Sequence, residues 1–158
     1  MNLLIWIEET SLAEYVRVAA YGYPAMITLH SLGLAIMVGL SLVLSFRALG
    51  LYATIPYSSL HRLLKVAWVG FVINFLSGSA LFTTQATTYI TDFEFLLKMF
   101  LVLVGATFVA LLQGVVGATN AAGGGTASVG NNLAKIYAIG TIVAWLGAMI
   151  TGRLIAYL

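Results

Sequence analysis

Four long stretches of the sequence hold few charged residues, and each is long enough to cross a lipid bilayer. They cover about residues 24–46, 63–84, 93–118 and 133–157. About 20 apolar residues in a helix cross roughly 30 Å of hydrocarbon. Only 8% of the 158 residues are charged, whereas a soluble domain carries about 25%. The sequence therefore predicts an all-α integral membrane protein, a single-domain four-helix up-down bundle.

The composition also excludes several classes of function. The chain has no cysteine, so disulfides, thiolate metal sites and iron–sulfur clusters are excluded. Its net charge of +2 is small and dispersed, so nucleic acid is not an expected partner. No nucleophile with a neighbouring acid or base is apparent. We therefore expect no independent enzyme, and at most a redox subunit of a larger complex.

Residues 1–22 mix apolar and charged positions and are predicted to form one interfacial helix at the membrane surface. Within it, Ser11 and Glu14 have the spacing of a capping box, in which each side chain bonds the backbone donor of the other. Pro24 suits the first turn of the next helix, where its missing N–H costs nothing.

The distribution of charge predicts the orientation in the membrane. Loops between the first and second and between the third and fourth spans contain basic residues and no acid, whereas every acid lies at the other ends of the spans. Basic loops stay in the cytoplasm. We therefore expect a bacterial inner-membrane protein with both termini in the periplasm. The basic set is Arg47, Arg62, Lys65 and Lys135, and the acids are Glu8, Glu9, Glu14, Asp92 and Glu94.

Small residues repeat every four positions along the third and fourth spans. Such ridges let helix backbones approach closely in lipid, where no hydrophobic effect drives association. We expect them to pack mainly within the bundle, with contacts between protomers as the alternative. The ridges are Ala106, Ala110, Gly114 and Ala118 in the third span, and Gly140, Ala144, Ala148, Gly152 and Ala156 in the fourth.

Three ionisable side chains within the spans are predicted to lie at a similar depth near the periplasmic ends. They are His30, Lys98 and Arg153. Ionisable residues inside a membrane are costly and tend to mark functional sites. The alternative is that Lys98 and Arg153 extend to the interface, while His30 bonds a neighbouring helix.

A cofactor site would use these residues together. A b-type haem would take His30 as its axial metal ligand and place its propionates against Lys98 and Arg153, with room for the macrocycle beside Gly33. A quinone or a lipid phosphate suits the same groups. His61 is the second histidine, but it is predicted about 20 Å away along the membrane normal, too far for a second axial ligand. A haem on His30 would therefore be five-coordinate, use Met26, Met99 or Met149, or take a ligand from a partner.

Several short motifs resemble a bacterial family of small four-span membrane proteins of unknown function. They are Ser11–Glu14, Thr28–Gly33, Trp68–Phe71, Ser77-Gly78, Phe95–Lys98, Trp145 and Gly152–Tyr157. The family is more distantly similar to the copper-resistance D membrane domain and to b561-like haem bundles. The resemblance implies the four-span fold and draws attention to His30, Lys98 and Arg153.

Three functions fit these observations. The first is a non-catalytic subunit that anchors or completes a larger respiratory or photosynthetic complex, in contact with lipid and with other membrane subunits or copies of itself. The second is an electron-transfer module holding haem b or quinone. The third is a small permease or metal-handling protein. Only Asn74 and its polar neighbours in mid-membrane support the third, and such an amide more often joins two helices by a hydrogen bond.

Overall fold

The computed structural model describes residues 2–52, 54–121 and 132–155, and this part of the chain is almost entirely helical. Four of its helices are long and apolar enough to cross a membrane. The predicted fold class, an all-α membrane bundle, is therefore confirmed. The helices are α1 (Asn2–Glu8), α2 (Ser11–Val18), α3 (Gly22–Ala48), α4 (Tyr57–Phe82), α5 (Ala86–Tyr89), α6 (Phe93–Ala121) and α7 (Asn132–Leu154).

The long helices pack as two antiparallel hairpins, α3 with α4 and α6 with α7, and α3 also packs on α7. In the second hairpin Lys98 lies beside Gly152, whereas Phe108, ten residues further along α6, lies beside Gly140. Residue numbers therefore rise along one helix as they fall along the other. The α4–α6 edge is loosely packed, and a hydrogen bond of 3.1 Å from Trp68 Nε1 to Gln113 Oε1 crosses it.

One predicted span boundary differs from the structure by more than a helical turn. Helix α4 begins at Tyr57, six residues before the predicted start of the second span, because the helix continues beyond its apolar part. Its first turns carry Arg62 and Lys65, whose side chains are exposed. The end of the fourth predicted span, residues 156–157, lies outside the described residues, as does Ala156 of its ridge.

The N-terminal segment forms two short helices, where one interfacial helix was predicted. The chain breaks at Thr10, whose hydroxyl caps α2 by accepting a hydrogen bond from the Ala13 amide at 3.4 Å. Ser11 is therefore the first residue inside the helix, and the predicted Ser11–Glu14 capping box is wrong. Helix α2 fully buries Ala13 and Val16, so it is part of the packed structure as well as a surface helix.

Glu8 connects this N-terminal segment to the α4–α6 connection. Its carboxylate accepts hydrogen bonds of 2.7 Å from both the amide and the hydroxyl of Thr87 in α5. Arg17 donates to the Glu8 backbone carbonyl at 2.6 Å. The pKa of Glu8 is held below its ordinary value of 4.5. The largest cause is the hydrogen bond from the Thr87 amide, followed by the bond from the Thr87 hydroxyl, with a smaller effect from the Arg17 charge. The ionised carboxylate therefore favours the docked arrangement.

We expect the Glu8–Thr87 contact to weaken in acid. Since the folded pKa is lowered, the stabilisation is complete above the ordinary pKa and is lost as pH falls through the lower, folded value. The Thr87 amide resonance, followed by NMR during an acid titration, should report this loss. In Glu8→Gln that titration should disappear, whereas Glu9→Gln, which changes an exposed neighbour, should leave it unchanged. A titration that persists in Glu8→Gln would contradict the assignment.

Arg47 closes the opposite end of the bundle, between α3 and α4. The side chain is only 1% exposed, and its guanidinium lies 4.2 Å above the centroid of the fully buried Tyr57 ring. Arg47 Nε donates to the Ile55 carbonyl at 2.8 Å, and Nη1 lies 3.4 Å from the Tyr57 hydroxyl. Arg47, which was predicted only as part of the basic cytoplasmic set, therefore fixes the path of the loop between α3 and α4.

The two small-residue ridges face different surroundings. On α7, Ala144 and Ala148 are buried, and Gly140 packs against Phe108 of α6, so this ridge packs within the bundle as expected. On α6, Ala110, Gly114 and Ala118 are exposed. The expectation of packing inside the chain is wrong for α6, because Gly105, Val109, Leu112 and Val116 form its buried side.

Candidate functional site

The candidate site depends on a very close approach between α3 and α4. A Cβ added to Gly33 would lie 2.6 Å from two backbone atoms of α4, the nitrogen of Asn74 and the carbonyl oxygen of Gly70. A Cβ added to Gly70 would lie 2.7 Å from the Ile36 side chain. The two helices can therefore pack here only because both positions lack a side chain.

This close approach lets His30 of α3 hydrogen-bond directly with Asn74 of α4. His30 Nδ1 lies 3.0 Å from the Asn74 backbone carbonyl, and Asn74 Nδ2 donates to the His30 carbonyl at 2.8 Å. The Asn74 carbonyl can only accept, so this contact requires a proton on Nδ1. Asn74 Nδ2 also lies 3.3 Å from Nδ1 and can donate to it only when Nδ1 carries no proton. Gly78 makes room for the ring, since a Cβ there would lie 2.9 Å from His30 Cε1.

Lys98 of α6 is the second polar side chain of the site. It is half-buried and lies over Gly152 of α7, where an added Cβ would be 3.3 Å from Lys98 Cε and 3.4 Å from Nζ. The ammonium is close enough to His30 to act on it electrostatically. Within the described part of the chain, Lys98 has no hydrogen bond or ion pair. Lys98 and His30 therefore interact through charge alone, with no hydrogen bond between them.

Neither of the other two predicted site residues hydrogen-bonds His30. Arg153 is exposed at the end of α7 and follows Gly152, over which Lys98 lies. Gly33 is buried against the backbone of α4. The space beside Gly33, which was predicted to receive a macrocycle, is therefore occupied by Asn74 and Gly70.

The second histidine lies too far from His30 to serve as an axial ligand to the same haem. His61 is exposed at the start of α4, and His30 bonds Asn74, thirteen residues further along that helix. At about 1.5 Å per residue the two histidines are roughly 20 Å apart along α4. Met99 and Met149 are 38% and 43% exposed on the outer surface of their helices.

Three aromatic rings stack at the same end of the bundle as Lys98. Tyr89 of α5 lies 5.3 Å from Phe95 of α6, and Phe95 lies 5.5 Å from Phe82 of α4, measured between ring centroids. Burial raises the pKa of the Tyr89 hydroxyl, with a smaller effect from Tyr23 and Asp92. The stack holds α4, α5 and α6 in register beside the site.

Sequence analysis missed several polar contacts inside the bundle. Gly70, Asn74 and Gly78 follow one another at intervals of four, so they lie along one face of α4. That spacing was available in the sequence and could have predicted the contact with α3. Gln113, a lone amide in an apolar span, is a similar signal for its bond to Trp68. No sequence signal indicated that Trp145 Nε1 would be buried without a partner among the described residues.

These observations define the chain as a multi-pass integral membrane protein with a polar contact layer toward the α5 end of its bundle. Comparison with known proteins finds no matching family model, curated protein or solved structure.

Proposed function

We propose that the protein is a non-catalytic subunit that anchors or completes a larger respiratory or photosynthetic membrane complex. The observation that carries this proposal is a small-residue face on α6, formed by Thr107, Ala110, Gly114 and Ala118. All four are exposed, and an added Cβ at Gly114 would meet nothing within 4 Å. This face suits close contact with a transmembrane helix of another subunit.

The limited packing of α6 within the chain supports the same proposal. Only 17% of its most apolar 18-residue stretch is buried, compared with 28% to 33% in the other three spans. Helix α6 packs extensively on α7 but little on α4. Small residues lower the cost of bringing two helix backbones together in lipid, where van der Waals contact drives association. Helix α6 therefore offers a partner helix an exposed surface whose small side chains allow close packing.

The test is co-purification of the full chain from its native membranes, compared between wild type and Gly114→Leu. A leucine at Gly114 points into lipid and leaves the fold intact, but it should block a partner helix. We expect recovery of the partner subunits, quantified by mass spectrometry, to fall about tenfold or more, equivalent to about 1.4 kcal/mol.

Gly39→Leu is the matched control for this experiment. Gly39 is also an exposed glycine with nothing within 4 Å of an added Cβ, but it lies on α3. We expect this variant to retain the partners. Equal recovery with Gly114→Leu and wild type would contradict the proposal. Because the chain has no cysteine, a single Gly114→Cys variant also shows by disulfide crosslinking whether the partner is a second copy.

Electron transfer through haem b or quinone is the second function from the sequence, and for haem the packing around Gly33 argues against it. A reduced-minus-oxidised absorbance spectrum of the gently solubilised protein, made with haem available, is expected to lack a b-type band. A b-type band that disappears in His30→Ala would overturn this expectation. The permease hypothesis loses support as well, because Asn74 is engaged between α3 and α4.

We also propose a bacterial inner-membrane location with both termini in the periplasm. The exposed cations Arg62, Lys65 and Lys135 lie at the Arg47 end, whereas the acids of α1, α2 and the start of α6 lie at the other end. Alkaline phosphatase is active only outside the cytoplasm, so we expect activity when it is fused to either terminus. An inactive fusion at both termini would reverse the orientation.

A further inference from the structure

We propose that Lys98 and Arg153 bind a negatively charged phosphate group at the α5 end of the bundle, supplied by an acidic phospholipid or by free phosphate. The proposal starts from the uncompensated charge of Lys98. The Lys98 side chain is half-buried between α6 and α7. No described residue forms an ion pair with its ammonium. A charge removed from water in this way needs a counter-charge or strong hydrogen bonds.

Two of the acids at this end of the bundle accept hydrogen bonds from other groups. The Glu8 carboxylate is held by Thr87. Asp92 Oδ1 accepts from the Glu94 amide at 3.2 Å, at the start of α6. His30, on which the Lys98 charge acts, is bound to Asn74 and carries no negative charge as a neutral imidazole or as an imidazolium. None of the described carboxylates forms an ion pair with Lys98, including that of Glu94, which lies one turn before it on α6.

The position of the two cations selects a phosphate group as the ligand. Lys98 lies five residues, or about 8 Å, inside the start of α6 at Phe93, and its side chain is long enough to reach the interface. Gly152 leaves the lysine free to lie along α7, and Arg153 follows directly as an exposed guanidinium. Lysine and arginine donate charge-assisted hydrogen bonds to phosphate oxygens, so both side chains suit an acidic headgroup at this end.

The site is separate from the small-residue face of α6, so it does not depend on the proposed function. Lys98 lies on the side of α6 that packs on α7, whereas Gly114 faces lipid sixteen residues further along the helix. The Gly114→Leu variant should therefore retain the ligand. Loss of partner subunits and loss of phosphate binding would then be distinguishable outcomes.

The experiment is native mass spectrometry of the detergent-solubilised full chain with phosphatidylglycerol or phosphatidylcholine of matched acyl chains. We expect tighter retention of phosphatidylglycerol. Lys98→Gln should weaken it about tenfold, the loss of one charge-assisted hydrogen bond, and Arg153→Gln should also weaken it. Lys98→Arg should keep it. Lys135→Gln is the matched control, since Lys135 is exposed at the other end of α7.

Competition with inorganic phosphate distinguishes the two sources. Displacement of phosphatidylglycerol identifies a site open to free phosphate, and resistance identifies the lipid as the ligand. Equal retention of the two lipids by wild type, or unchanged retention by both Lys98→Gln and Arg153→Gln, would overturn the proposal. Thermal unfolding of each variant keeps the result interpretable: Lys98→Gln should be at least as stable as wild type, because it removes an uncompensated charge.

Discussion

Gly33→Ala is expected to destabilise the bundle by about 3 kcal/mol, at the upper end of the cost of overpacking. The added Cβ would lie 2.6 Å from two backbone atoms of α4, the Asn74 nitrogen and the Gly70 oxygen. Backbone atoms inside a helix cannot move aside as a flexible side chain can, so α3 and α4 must separate. Separation would also lengthen both hydrogen bonds between His30 and Asn74.

The measurement is SDS-induced unfolding in mixed micelles, followed by the fluorescence of the three tryptophans, of which Trp145 is buried. Gly39→Ala is the control on the same helix, because nothing lies within 4 Å of its added Cβ. We expect the unfolding free energy of Gly39→Ala to equal or exceed that of wild type by up to about 1 kcal/mol, because alanine has a higher helix propensity than glycine. Similar unfolding curves for Gly33→Ala and Gly39→Ala would contradict the close α3–α4 packing.

Arg47→Ala should destabilise the protein by a similar amount, about 3 kcal/mol. The substitution removes the cation–π contact with Tyr57 and the hydrogen bond to the Ile55 carbonyl. It also leaves a cavity beside the buried Tyr57 ring and frees the connection between α3 and α4. Arg47→Lys should recover only part of the loss, because an ammonium keeps the charge but lacks the planar fork of donors.

Arg62→Ala tests whether the effect comes from packing or merely from positive charge at this end. Arg62 lies in the first turns of α4 and is exposed, so its removal should change the unfolding free energy by about 0.5 kcal/mol or less. The same SDS titration measures all three variants. Equal losses for Arg47→Ala and Arg62→Ala would show that Arg47 acts as a surface charge.

Most of the fold could be predicted from the sequence, because it follows from local composition. The long apolar stretches predict helices that cross the membrane, and α3, α4, α6 and α7 occupy those stretches. Helix boundaries were less predictable. The α4 start at Tyr57 and the break at Thr10 depend on backbone capping and on packing against other elements, which hydropathy does not report.

The candidate site was predicted only in part. Depth along a helix follows from counting residues, so the levels of His30 and Lys98 could be estimated. The direction in which each side chain points depends on how the helices are rotated against one another. That rotation turns His30 toward Asn74 and Lys98 toward Gly152, and leaves Arg153 at the surface.

The sequence by itself determined that this chain is a four-span membrane protein, because lipid is the only solvent that suits so few charges. The tertiary structure alone decided which small residues are buried. Gly33 and Gly114 are both glycines in apolar helices, yet one is pressed against a neighbouring backbone and the other faces lipid. The physical reason is that van der Waals packing between helices depends on the mutual fit of two surfaces, and a single helix sequence specifies only one of them.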